Sequence, residues 1–170
     1  MDAAMIIARL IHIVGGAFWV GAMIFVTFFL APAVRDAGPD GAKVMGGIAR
    51  RNFMQLMPGV AIFTLLSGLY LYWRVSAGFN YDYLRSGPGH AYAMGGILAI
   101  VAFIVGLAVV RPAMMKAMAL MQSAATAPPS DKESMMAEAQ ALRARSSRAG
   151  LIVAWMLILA VAAMAIGRYV

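Results

Sequence analysis

The sequence predicts an all-α integral membrane protein, a four-helix bundle with a cytoplasmic helical extension of its third and fourth helices. Of its 170 residues, 63% are hydrophobic and only 12% are charged, and the mean hydropathy is +0.81. A soluble domain has about 45–50% apolar and about 25% charged residues. A domain of this size is too small to bury all of its apolar residues, so many of them must lie on its surface. The apolar excess therefore indicates that this surface is in contact with a lipid bilayer and not with water.

Four long uncharged stretches separate the charged segments of the chain. Because a helix rises about 1.5 Å per residue, about 20 residues cross roughly 30 Å of hydrocarbon. The first stretch is too long for the apolar region of a signal peptide. The stretches predict spans over about 6–33, 52–74, 88–111 and 148–168, all within a single transmembrane domain of residues 1–170.

The segment between the third and fourth spans, residues 112–147, predicts a helical hairpin. Pro128 and Pro129 break the helix, and Ser130 followed by Glu133 predicts a capping box at the start of the second arm. Apolar residues at helical spacing are expected to pack the two arms together: Met118, Met121, Met135, Met136, Ala139 and Leu142.

The distribution of basic residues predicts the orientation and the partners. Ten of the 14 Lys and Arg residues lie in the first and third loops. The positive-inside rule therefore places both termini in the periplasm of a bacterial inner membrane. These residues alternate with apolar runs and form no basic patch with interleaved aromatics, so the predicted partner is the lipid bilayer and not nucleic acid. The sequence identifies no redox partner and leaves a homo-oligomer open.

The two histidines of the chain are the candidate ligands. His12 lies about two turns into the first span, and His90 begins the third. Because these spans run parallel, both imidazoles fall in the same leaflet. Haem iron accepts a histidine from each of two helices, and bundle cores commonly hold such sites. A structural alternative remains, in which both histidines only hydrogen-bond across helix interfaces.

The neighbours of the histidines fit a flat cofactor. On the first span, Gly16 and Trp19 follow His12 on one helical face, and a glycine lets a macrocycle edge approach the backbone. Arg9, towards the water, is placed to meet a haem propionate. On the third span, Met94 is in line with the histidine. The leading prediction is therefore a b-type haem with His12 and His90 as axial ligands, in a protein for electron transfer or a membrane oxidoreductase.

The 15 methionines support a second prediction, because thioethers favour Cu(I). In this alternative the protein handles or transports copper, and the histidines act together with Met23 and Met94. A third alternative is a structural or accessory subunit whose net charge of +7 binds a cytoplasmic partner or anionic lipid.

Three segments resemble a known group of bacterial membrane proteins. The first span contains His12, then six residues, Trp19 and the small residue Gly21. This pattern resembles the first helix of the copper-resistance D (CopD-like) family and of HemJ-type protoporphyrinogen oxidases. Residues 51–69 are similar to the second helix of the same families, and His90 resembles the His-x-Lys motif of the HemJ-like group.

The resemblance covers roughly residues 5–110 and implies two activities. In the HemJ-like group it implies a b-type haem between the first and third helices, here on His12 and His90, and protoporphyrinogen oxidation. That group has a lysine two residues after the third-helix histidine, where this chain has Tyr92. In the copper family the resemblance implies copper handling at the inner membrane.

Overall fold

A computed structural model describes residues 2–170, with the side chains of residues 39 and 42 left out. The described chain is helical nearly throughout. The α-helices are α1 (Ala3–Phe25), α2 (Ala31–Asp36), α3 (Pro39–Arg50), α4 (Phe53–Val75), α5 (Tyr81–Leu84), α6 (Gly87–Val105), α7 (Arg111–Ala124) and α8 (Pro129–Ile166). One π-helical turn, Val26–Leu30, joins α1 to α2, and another, Gly106–Val110, joins α6 to α7.

Four continuous helical stretches are long and apolar enough to cross a membrane. They are Ala3–Asp36, Phe53–Val75, Gly87–Ala124 and Pro129–Ile166. The prediction of an all-α protein with four long apolar helices is confirmed. The two longest stretches carry the predicted hairpin, because α7 packs against the first half of α8 and Lys116 pairs with Glu138 at 2.6 Å.

The four long helices form a square in which neighbours along the chain also pack together. The closest pairs are α1 with α4 and α6 with α8, and the weaker sides are α4 with α6 and α1 with α8. The central core consists mostly of small side chains: Trp19, Ala61, Ala99, Ala102, Val153, Leu157 and Ala160. Large apolar residues lie on the outside, as in Ile13 and Phe63, which are 64% and 65% exposed. Small residues at the helix interfaces are typical of membrane bundles.

The start of α1 is attached to the end of α4. The Asp2 carboxylate accepts a hydrogen bond from the Met5 amide at 2.9 Å, which caps α1, and pairs with Arg74 of α4 at 2.7 Å. The Met5 amide and then the Arg74 guanidinium hold the pKa of the Asp2 carboxyl below its ordinary value.

Two local features differ from the sequence-based expectation. The first loop contains the helix α3, where no helix is expected from the sequence. The predicted capping box at Ser130 is wrong. The helix α8 begins two residues earlier, with Pro128 at the N-cap position and no side-chain cap, and the Ser130 hydroxyl donates to the Asp131 carboxylate instead. A proline in the first turn needs no capping partner for its own nitrogen, because that nitrogen carries no hydrogen.

Candidate functional site

The imidazole of His12 is held against α4 by a main-chain hydrogen bond. Its Nδ1 lies 2.8 Å from the carbonyl oxygen of Thr64. Because a carbonyl oxygen only accepts, Nδ1 must carry the hydrogen, and in the neutral ring the lone pair is then on Nε2. Metal-binding histidines in proteins are oriented by this kind of bond at the nitrogen that does not bind the metal.

A glycine on α4 makes room for this ring. A Cβ atom built on Gly68 would lie 2.6 Å from Cε1 and 2.8 Å from Nδ1 of His12, which is closer than real Cβ contacts. The Thr64 carbonyl also accepts a hydrogen bond from the Ser67 hydroxyl at 3.0 Å. The imidazole therefore occupies a specific position formed by one turn of α4.

His90 has the same hydrogen-bonding pattern in a more open place. It lies exposed in the first turn of α6, and its Nδ1 is 2.9 Å from the carbonyl oxygen of Ser86. This bond again leaves the lone pair of the neutral ring on Nε2. Within residues 2–170 no hydrogen bond joins the two imidazoles: His12 is bonded to α4 and His90 to the residue that caps its own helix.

Most of the glycines beside the histidines serve helix packing. On α1, Gly15 and Gly16 face the Thr64 side chain, with Cβ positions 2.6 Å from its Oγ1 and 3.6 Å from its Cγ2. On α6, Gly95 packs against α8, and a Cβ built on it would lie 3.0 Å from the carbonyl oxygen of Ala160, whereas a Cβ on Gly96 would meet nothing within 4 Å. The backbone at Gly16, where a macrocycle edge is expected from the sequence, is thus covered by α4.

The remaining predicted cofactor residues are dispersed. Trp19 is 5% exposed and packs edge-on against Phe103, with ring centroids 6.4 Å apart. Arg9 is exposed on α1, and Met94 is 59% exposed on α6. The ring of Tyr92 lies against Gly167 of α8, whose Cβ position is 2.8 Å from Cε1 of the tyrosine. The joint role of these residues around one cofactor stays a prediction.

A cavity of about 1000 Å³ lies in the opposite half of the molecule from the histidines. It extends from the central core, at Trp19 and Ala102, to the far end of the hairpin, at Ala124 and Lys132. Its walls contain eight of the methionines: Met23, Met45, Met54, Met57, Met114, Met118, Met121 and Met136. Methionine side chains are flexible and adapt to irregular apolar ligands.

Four basic side chains line the same cavity, and none of its described lining residues is acidic. They are Arg35, Arg111, Lys132 and Arg143. The Nε atom of Arg111 is buried and has no hydrogen-bond partner, the only such side-chain nitrogen or oxygen within the part of the chain that the structure describes. Leaving a buried donor of a charged group unpaired costs at least about 1–3 kcal/mol. The site therefore contains a donor that needs an acceptor.

Both π-helical turns open onto this cavity. The amide of Ala31 bonds to the Val26 carbonyl, and that of Arg111 to the Gly106 carbonyl, five residues back in each case. A proline follows each turn at the second position, Pro32 or Pro112, and its ring would clash with the carbonyl four residues before it. The wider turn removes that clash. Such π-bulges occur often at functional sites, and irregular backbone at membrane depth occurs where it lines a cavity.

Sequence reasoning alone does not identify this cavity, although two signals for it are present. One is the enrichment in methionine, and the other is a proline at the end of two of the long apolar runs, Pro32 and Pro112. Among the described residues, no group of three or more His, Cys, Asp or Glu side chains could hold a metal ion. In comparisons with protein-family models, curated proteins and solved structures, nothing matches this chain.

Proposed function

We propose that this chain is a four-helix protein of the bacterial inner membrane that binds one b-type haem through Nε2 of His12 and Nε2 of His90. Its function in this proposal is electron transfer or a related redox reaction, with a redox partner in or beside the bilayer. The termini are periplasmic, and the hairpin of α7 and the first half of α8 lies in the cytoplasm. The bundle is thus related in architecture to the CopD-like and HemJ-like proteins that its sequence resembles.

One observation carries the proposal: both imidazoles have their Nδ1 hydrogen bonded to a main-chain carbonyl. These bonds, from His12 to Thr64 and from His90 to Ser86, fix the tautomer in which Nε2 is the nitrogen able to bind iron. The His12 bond also joins α1 to α4, and in both rings the bond at Nδ1 leaves Nε2 as the nitrogen with the lone pair. Both rings are therefore prepared to act as ligands.

The two ligands differ in how firmly they are held. The His12 ring is fixed by Thr64 and by the close approach of Gly68, so its direction is set by packing as well as by the hydrogen bond. The His90 ring is exposed and bonded only within its own helix. His12 is the stronger ligand in this proposal, and His90 completes the iron coordination. When bound, the haem supplies a one-electron couple, and its ligands and burial set the potential.

Copper handling is the second candidate, favoured by the thioethers and by the resemblance to the copper-resistance family. The ligands would be the same two histidines with Met23 and Met94. Met94 is 59% exposed, and Met23 belongs to the wall of the cavity near the core, about three turns of α1 beyond His12. The haem proposal requires fewer residues to come together, so we place it first.

An absorption spectrum of the detergent-solubilised protein, oxidised and reduced, tests the proposal. We expect a Soret band, its loss in His12→Ala, and a changed or weaker band in His90→Ala. Ile104→Ala, a 55% exposed position on the same helix as His90, serves as the control and should keep the wild-type spectrum. Copper without iron in the purified protein, and a lower copper content in Met94→Ala, would favour the second candidate instead.

Two results would contradict the haem proposal directly. One is a protein without a Soret band even when haem is supplied during growth. The other is full haem loading in the double variant His12→Ala, His90→Ala. A protein that holds neither iron nor copper and tolerates both substitutions is what the structural-subunit alternative predicts.

A further inference from the structure

We propose that the methionine-lined cavity binds an anionic phospholipid, with the phosphate on Arg111 and Arg143 and an acyl chain directed towards Trp19. This site is separate from the histidines, so the inference does not depend on haem or copper. It rests on the charge of the lining residues, the unpaired Arg111 nitrogen and the depth of the apolar part of the cavity.

The positive charge of the lining residues favours an anionic ligand. Arg35, Arg111, Lys132 and Arg143 contribute four positive charges, and no described lining residue is acidic. These charges disfavour a metal cation such as Cu(I), although the thioethers alone would accept one. Basic pockets between membrane helices are known to bind lipid headgroups.

The guanidinium of Arg111, with its unpaired Nε, favours a phosphate as the bound anion. Its Nε is buried without a partner, while a guanidinium presents several N–H donors in a plane that matches two oxygens of one phosphate. Arg143 lies at the same level of the hairpin, because the nearby Ser146 hydroxyl donates to the Val110 carbonyl, next to Arg111, at 3.3 Å. A single phosphate placed between the two arginines would therefore accept hydrogen bonds from both guanidinium groups, and it would reach the buried Nε of Arg111 after a turn of that side chain.

The depth of the apolar part of the cavity, between Arg111 and the core, favours a lipid over free phosphate as the ligand. From Arg111 to Ala102, where the cavity meets the core, the helix runs nine residues, or about 14 Å. This length is about half of the roughly 30 Å hydrocarbon thickness, which is the depth of one leaflet. The walls over this distance are mostly apolar, with Met23, Met57 and Phe103 beside the single hydroxyl of Thr27. An acyl chain fits this space, whereas inorganic phosphate would leave it unfilled.

The location is also consistent with the membrane arrangement. The cavity lies at the end of the bundle that holds ten of the 14 Lys and Arg residues, in the segments 35–51 and 111–148. By the positive-inside rule this is the cytoplasmic leaflet, where anionic lipids concentrate. A lipid there would fill the gap between the α1–α4 pair and the hairpin.

Native mass spectrometry of the full chain, purified in mild detergent and supplied with defined lipids, tests the inference. With phosphatidylglycerol we expect about one lipid retained per chain, and with phosphatidylethanolamine at least fivefold less. Arg111→Gln should lower phosphatidylglycerol retention at least fivefold. Arg145→Gln, an exposed arginine of α8 that does not line the cavity, is the matched control and should retain the wild-type amount.

A second variant keeps the test valid if Arg111→Gln does not fold. Gly106→Leu leaves every charge in place, and its side chain would extend into open space at the cavity wall, because nothing lies within 4 Å of a Cβ there. It should also lower retention of phosphatidylglycerol. Equal retention by wild type, Arg111→Gln and Gly106→Leu would overturn the inference, as would equal retention of both lipids by the wild type. Haem retained by wild type and lost specifically in Arg111→Gln would overturn it too, because it would show that haem occupies the cavity.

Discussion

Replacing Gly68 by alanine should displace His12 from its position on α4. The added Cβ would lie 2.6 Å from Cε1 of the ring, whereas an ordinary contact needs at least 3.4 Å, so the ring must move by about 0.8 Å. Such a movement lengthens the 2.8 Å hydrogen bond to the Thr64 carbonyl, by up to about 0.8 Å, and so weakens or breaks it. The expected loss is about 0.5–1.5 kcal/mol.

The same substitution also has a stabilising effect that must be separated from this loss. Alanine favours a helix over glycine by about 0.8–1.0 kcal/mol, so Gly68→Ala compared with wild type alone would show little net change. Gly59→Ala provides the control, because Gly59 is in the same helix and nothing lies within 4 Å of its Cβ position. We therefore expect Gly68→Ala to be about 0.5–1.5 kcal/mol less stable than Gly59→Ala.

The assay is equilibrium unfolding of both variants in mixed micelles, followed by circular dichroism, together with the ¹⁵N chemical shifts of the His12 ring. The ring shifts should change in Gly68→Ala and stay as in wild type in Gly59→Ala. If haem binds His12, the haem content should fall in the first variant only. Equal stabilities and unchanged ring shifts in the two variants would refute the close approach of Gly68 to the imidazole.

Two further predictions use other contacts of the bundle. Gly95→Ala would place a Cβ 3.0 Å from the Ala160 carbonyl, which is backbone and cannot easily move, so it should destabilise the bundle by about 1–3 kcal/mol in the same unfolding assay, whereas Gly96→Ala should not. The pKa of the Asp2 carboxyl is lowered by the first-turn amide of α1 and then by Arg74, so its stabilisation is present above about pH 4 and is lost as the pH falls through the lowered pKa. Asp2→Asn should therefore lower the thermal midpoint at pH 7, and this decrease should become smaller as the pH falls through the lowered pKa; a decrease that does not change with pH would contradict the ion pair with Arg74.

The four long helices are predictable because the charges of this chain lie almost entirely between its apolar runs. An uncharged stretch of about 20 residues has few alternatives to a helix in hydrocarbon, since every main-chain polar group must be bonded internally. The helix α3 could also have been predicted. Proline at its first position, Asp40 in its first turn and Arg50 in its last turn are ordinary start and stop signals. Its short length and low hydropathy make these signals easy to overlook beside the long spans.

The packing of His12, a residue of α1, against α4 depends on which helices become neighbours. The sequence does not specify these neighbours. A glycine pair after a histidine is compatible with a macrocycle edge or with a side chain from another helix. On α1 the structure places the Thr64 side chain there. The two outcomes differ only in the rotation of α4 about its axis, and a rotation of one residue, about 100°, would exchange Thr64 for Leu65.

For the methionines of the hairpin, the sequence also leaves open which of two adjacent helical faces packs against the other arm. The sequence predicts that Met118, Met136 and Ala139 help to pack its two arms together. Ala139 is buried there as predicted, but its counterpart on the other arm is Ala117 and not a methionine, and each of the two alanines is 1% exposed. Small side chains let two helices approach closely, so they take the interface and displace the larger ones to its edge. Met118 follows Ala117 directly and is therefore turned by about 100°. The cavity is lined with methionine because alanine occupies the interface, and a thioether wall beside basic side chains is a site for an apolar chain with an anionic head.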